Sequence, residues 1–209
     1  MRTVISLLLC LLACMSASAG DKKKLPEGTP CVKVYMSNDS TCEGIISRYP
    51  LFTEDSALHV KRYNAGLFAT GRKCKEQDID SLVVWFAGYE DMKLKWVPLK
   101  GNYNYMGSIP DIPNHRMFML CLYRGRNISA YVVYDRYYGN RVLYYGKGMT
   151  EAHAIFKFDA KLTDRRRKTL VEEFKRYPEL VRYIDTMNAE DTKKNPIVLL
   201  RMIDQVWEE

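Results

Sequence analysis

Apolar residues recur along this chain with two different periods, and the change of period divides it. From residue 31 to residue 159 the pattern is that of strands: short blocks rich in Val, Ile, Tyr and Phe, bounded by Gly, Asn, Asp or Pro. Strands are predicted over residues 31–36, 57–63, 66–73, 81–89, 93–97, 117–123, 128–135, 141–147 and 153–159. The second and third would pair as a hairpin around Asn64-Ala65-Gly66. Residues 82–87 are continuously apolar, as in a strand buried on both faces. Residues 93–97 alternate, with Leu94 and Trp96 on one face. In the last block Ala154, Phe156 and Phe158 share one face, and His153, Lys157 and Asp159 the other. Residues 37–40 read as a turn, and residues 100–113 as a strand end followed by a loop.

After residue 163 the period becomes helical. Thr163 is a good N-cap, and Asp164 sits where the helix dipole favours an anion. Leu170, Val171, Phe174 and Tyr177 follow on one face, until Pro178 interrupts the pattern. Residues 178–187 repeat it with Leu180, Tyr183, Ile184 and Met187. Asn195-Pro196 opens a last helix, apolar on more than one face through Ile197, Leu200, Met202, Ile203, Val206 and Trp207. That helix either packs on the body or offers a partner surface. Eight or nine strands followed by helices define a mainly β chain. The predicted architecture is an up-and-down antiparallel eight-stranded barrel, with a C-terminal α-helix packed outside and a helical tail, because closure removes exposed edges. Such a barrel is just wide enough for one small ligand.

The N-terminus changes the context. Arg2, the apolar run over residues 5–13 and Ala17-Ser18-Ala19 read as a secretory signal peptide spanning residues 1–19, too short to cross a bilayer. Residues 20–177 would then be the barrel with its helix, and 178–209 the extension. The expected localisation is extracellular, with no membrane span. In a secreted chain Cys31, Cys42, Cys74 and Cys121 read as two disulfides, and three pairings are open. Asn38 and Asn127 begin glycosylation sequons. The net charge of +7 favours anionic partners. The densest run, Arg165-Arg166-Arg167-Lys168, reads as a solvated helix face, since no nucleic-acid-binding motif accompanies it.

One family resemblance is visible. Tyr131-Val-Val-Tyr-Asp135, a further strand, Ile155 to Asp164 and then Leu170-Val-Glu-Glu-Phe174 resemble the C-terminal half of the lipocalins. Residues Tyr35 to Gly44 resemble the tyrosine, asparagine-aspartate and cysteine-x-glycine stretch of tick salivary, histamine-binding-protein-like lipocalins. No cysteine follows Cys121, so the family's tail-to-barrel disulfide has no partner here. The resemblance implies a barrel that sequesters a small apolar or amphipathic ligand without turnover. That ligand would be a fatty acid, an eicosanoid or a biogenic amine, and a host mediator if the source is a blood-feeding parasite.

The chemistry in the residues points the same way. His59, His115 and His153 stand apart, and no Gly-x-Ser-x-Gly, Gly-x-Gly-x-x-Gly, P-loop or His-Glu-x-x-His is present. No cysteine spacing suits zinc. An enzyme, a metal and a cofactor are not expected. Fifteen tyrosines, many of them in the strands, supply apolar surface with a polar handle. The candidate ligand wall is Leu94, Trp96, Phe118, Leu120, Val132, Tyr134, Tyr144, Phe156 and Phe158. Arg126 and Arg136, with Arg124 and Arg141, would rim the mouth and steer an anionic head group. An acid facing the interior would favour an amine instead. The alternative is a protein-binding inhibitor or immune-evasion factor with the barrel as scaffold; a filled interior would favour it. The oligomeric state is left open.

Overall fold

The computed structural model describes residues 25–52, 55–63, 70–102, 116–136 and 139–207. The proposed signal peptide and most of the 100–113 loop lie outside these residues, as do His115, Tyr137 and Tyr138. The strands are β1 (Pro30–Met36), β2 (Thr41–Ile46), β3 (Ala57–Lys61), β4 (Arg72–Lys75), β5 (Ile79–Phe86) and β6 (Tyr89–Leu99). They continue as β7 (Gly101–Asn102), β8 (Met117–Arg124), β9 (Ile128–Val133), β10 (Arg141–Gly146) and β11 (Ala152–Lys157). Four helices follow: α1 (Asp164–Glu173), α2 (Pro178–Thr186), α3 (Asp191–Lys194) and α4 (Pro196–Val206).

The strands form one sheet in the order β4-β3-β2-β1-β5-β6-β8-β9-β10-β11-β7. Every pairing is antiparallel except β7 with β11. The fold is therefore mainly β with C-terminal helices, but the sheet does not close into an eight-stranded barrel. Its two ends are β4 and β7. The departure has a local cause. After Lys100 the chain of β6 leaves β8 and continues as β7 beside β11, where the Ala152 N–H donates to the Lys100 carbonyl at 2.8 Å. At Gly101 the backbone lies against the ends of the Met117, Leu143 and Met119 side chains. One end of the sheet thus curls back on itself while the other stays open.

The strand β2 was not legible as a strand. Its alternation is broken by Glu43 and Gly44, and the glycine is required: a Cβ there would lie 2.0 Å from the Lys61 carbonyl oxygen on β3.

The register aligns one row of side chains across eight strands. Cys42 faces Val34, Val34 faces Leu82, Leu82 faces Trp96, and Trp96 faces Leu120. The row continues through Val132 and Val142 to Phe156. This inner face carries most of the core. Toward β1 to β6 it packs with Leu51, Leu58, Val60, Cys74 and Ile79. Toward β9 to β11 it is covered by Leu170 and Phe174 of α1, Leu180 and Ile184 of α2, and Leu199, Leu200 and Ile203 of α4. A smaller cluster on the other face holds Met117, Met119, Val133, Leu143, Ala152 and Ala154.

Polar side chains fix the helices to this sheet. Thr163 caps α1 by accepting the Arg166 N–H at 3.3 Å. The basic run is only half solvated, which corrects the reading of it as a surface face. Arg165 and Lys168 are exposed, but Arg166 is buried and its guanidinium donates to the carbonyls of Ile155 and Ala154 on β11. Arg167 donates to the carbonyls of Ile184 and Met187 at the end of α2. These are the carbonyls that a helix terminus leaves without internal partners. The arginines act as clamps between elements.

Candidate functional site

The nine residues of the expected ligand wall share one face of the whole sheet. Trp96, Leu120, Val132 and Phe156 lie on the central row itself. Leu94, Phe118, Tyr134, Tyr144 and Phe158 flank it or pack against the same two clusters. The structure brings these residues together as a wall but leaves no space beside several of them. Trp96, Phe118 and Val132 have 0% accessible surface, so no water-sized void touches them. Tyr144 is buried beneath α1, where its hydroxyl donates to Glu173 Oε1 at 2.8 Å. Its ring meets Trp207 edge-on at 5.4 Å. Tyr134, Trp96, Tyr49 and Phe86 form a continuous aromatic string, with centroid separations of 5.1 to 5.8 Å. The Trp96 Nε1–H has no acceptor, an unmet donor in this wall.

The arginines do not share a mouth. Arg124 and Arg126 belong to the β8–β9 turn, and Arg136 and Arg141 to the β9–β10 connection. These lie at opposite ends of β9, which spans about 20 Å. Arg126 is exposed, and Arg141 is buried at the start of β10. Arg136 stacks 4.4 Å above the Phe52 ring, with Arg48 at 5.0 Å from the same ring.

Among the described residues the Asp204 and Glu173 carboxylates are buried, neither in the wall. Asp204 of α4 accepts the N–H groups of Asn127 and Ile128 at 2.7 and 2.8 Å, that of Arg126 at 3.1 Å and the Tyr123 hydroxyl at 3.1 Å. Burial opposes its ionisation, but these donors outweigh burial and hold the carboxyl below its ordinary range. Glu173 is the reverse case: burial pushes it up, partly opposed by the Tyr144 hydroxyl and by Arg166 at 3.9 Å. Both are structural groups joining helix to sheet. Among the histidines, His59 is exposed, and burial holds His153 below its usual value. No cluster of His, Cys, Asp and Glu among the described residues could hold a metal ion. No described helix is long and apolar enough to cross a membrane.

The sequence reading overlooked the opposite face of β2, β1, β5 and β6. There Lys33 pairs across to Glu43 on one side and Val83 on the other, and Val83 faces Lys95. Lys33, Tyr35, Glu43, Val83, Trp85, Glu90 and Lys93 line an open cleft of about 430 Å³. The Lys33 ammonium lies 5.7 Å from the Tyr35 ring, and Tyr63 donates to Glu43 at 2.8 Å. Burial, then the Glu43 hydrogen bond, pushes the Tyr63 phenol well above its ordinary value. Beside the cleft, residues 89–93 of β6 are all exposed, with Tyr89 at 44% and Met92 at 53%. The missed signal was the alternation in residues 31–36 and 81–86, whose off-core members are Lys33, Tyr35, Val83 and Trp85.

No protein-family model, no curated protein and no solved structure matches this chain.

Proposed function

We propose that the protein is a secreted, non-catalytic binding protein that engages another protein through the outer face of β1, β5 and β6. The carrying observation is the contrast between the two faces. The inner wall is filled by its own side chains and the helices, whereas the outer face carries an open cleft lined by Tyr35 and Trp85, beside the exposed Tyr63 that donates to Glu43. Tyrosine and tryptophan ringed by charged residues is the composition of interface hot spots. The lysines and glutamates around the cleft suit a partner surface with an apolar centre and a mixed-charge rim. The lipocalin resemblance is supported by the order β9, β10, β11, α1, and opposed by the open sheet.

The test compares wild-type protein, made in a eukaryotic secretion system, with the Tyr35→Asp/Tyr63→Asp variant. Each is used as bait in extracellular fluid, with quantitative mass spectrometry of what is retained. Native mass spectrometry of the same preparations is run against fatty acids, eicosanoids and biogenic amines. The expected result is a protein retained by wild type and depleted at least about tenfold by the variant, with no small molecule bound. Equal capture by both baits, or a stoichiometric small ligand, would overturn the reading.

A further inference from the structure

We infer that the open edge of the sheet at β4 binds an extended acidic segment of a partner protein, which adds to the sheet as a further strand. The inference is independent of the outer-face reading, since it rests on a different part of the molecule.

The first observation is the edge itself. The strand β4 ends the sheet, with β3 as its one neighbour among the described residues. No turn or loop hydrogen bond among the described residues uses the backbone of residues 72–75. An edge strand presents a row of N–H and C=O groups on its unpaired side, and an extended peptide can pair with them.

The second observation is charge. The strand reads Arg72-Lys73-Cys74-Lys75, and all three cations are exposed while Cys74 is buried. Lys73 and Lys75 stand on one face, opposite His59 and Ala57 of β3, and Arg72 stands on the other, opposite Val60. Among the described residues no carboxylate pairs with these three cations. Clefts flank the edge. Arg62 and Arg72 line one of about 580 Å³, whose carboxylate, Glu43, accepts from Tyr63. His59 and Lys73 line another of about 360 Å³, whose carboxylate, Asp55, is paired to Arg48 at 2.9 Å.

Together these features select the occupant. Successive side chains of an added strand fall on alternate faces. Those beside Lys73 and Lys75 meet two cations on one face, so the partner carries Asp or Glu at alternate positions. Cross-strand pairs of opposite charge stabilise a sheet, and like charges set opposite each other destabilise it. A second copy is therefore a poor occupant, because β4 against β4 sets cation against cation. Backbone pairing gives such a complex its affinity, and the lysines give it its choice of partner.

The experiment uses full-length secreted protein with its N-glycans removed, because Asn38 shares a third cleft with Arg72 and Lys73. The probe is a fluorescent peptide of alternating Glu and Val, followed by anisotropy. Its comparison is the same peptide N-methylated at alternate residues, which keeps the charge and removes the backbone donors. A heparin-derived oligosaccharide serves as a polyanion that cannot form a strand. The expected result is binding of the unmodified peptide, weakened at least about tenfold by N-methylation and at least about tenfold by Lys73→Glu/Lys75→Glu. Hydrogen exchange of residues 72–75 should slow in the complex. No binding, equal binding of the N-methylated peptide or insensitivity to the lysine variant would overturn the inference. So would displacement of the peptide by the oligosaccharide at equal charge concentration, or self-association of the free protein that protects residues 72–75.

Discussion

The Asp204 carboxylate accepts the Ile128 N–H at 2.8 Å, tying the last helix to the β8–β9 turn across 76 residues of sequence. The same carboxylate takes the N–H groups of Arg126 and Asn127. Removing it strands buried donors, each of which costs on the order of 1–3 kcal/mol when left without a partner. Asp204→Ala should therefore lower unfolding stability by about 3 kcal/mol, and Asp204→Asn by less. Urea unfolding followed by tryptophan fluorescence measures this. A loss within noise for Asp204→Ala would show that water replaces the carboxylate without cost.

The arginine run predicts a split within four consecutive residues. Arg166→Ala should cost about 2–3 kcal/mol, since it deprives two buried carbonyls of β11 of their donor. Arg165→Ala and Lys168→Ala, at exposed positions, should each stay within about 0.5 kcal/mol. Equal effects at all four positions in the same unfolding assay would contradict the clamp.

The two buried carboxylates give opposite pH dependences. The folded state raises Glu173, so it binds that proton more tightly than the unfolded chain. Its contribution is fullest below the ordinary carboxylate range and is lost as pH rises through the raised value. The folded state lowers Asp204, whose contribution is present above the ordinary range and is lost as pH falls through the lowered value. Urea midpoints between about pH 3 and 8 should therefore flatten on the alkaline side in Glu173→Gln and on the acid side in Asp204→Asn. Superimposable profiles would remove both assignments.

The two sequons are not equivalent acceptors. Asn38 is exposed in the β1–β2 turn, its Oδ1 accepting the Ser40 N–H and hydroxyl. Asn127 donates its side-chain amide to the Asp204 carbonyl at 2.8 Å. A sugar at Asn127 competes with docking of α4. Glycopeptide mapping of secreted protein should find Asn38 occupied and Asn127 largely bare, with Asn127 occupancy rising in Asp204→Ala. Full occupancy at Asn127 in wild type would refute the competition.

The inner face could be read from the sequence because it depends on period alone. Leu94 and Trp96 alternate with lysines, and Phe156 and Phe158 with Lys157 and Asp159, so each strand declares its apolar side. The Thr163 cap was legible for the same local reason. What lay between distant segments was not. Gly44 masks a strand because its need for space comes from Lys61 on another strand. The curl at Lys100 depends on β11, some fifty residues away. Arg166 looks like any surface arginine until the carbonyls it serves are placed. The outer cleft was missed because Val83 and Trp85 belong to the continuously apolar 82–87 run, which reads as a strand buried on both faces.

The curl also fixes an order of assembly. The β8–β9 hairpin closes over three residues and can form as soon as they exist. The pairing of β7 with β11 must wait for the hairpins between them, since it joins Gly101 to Ala152. The clasp at Asp204 waits longer, for α4. A chain whose decisive contacts lie so far apart carries a high contact order, and folds slowly for its size. Until then the inner row from Val132 to Phe156 stands uncovered, so the nascent molecule is most vulnerable to aggregation just before its helices arrive.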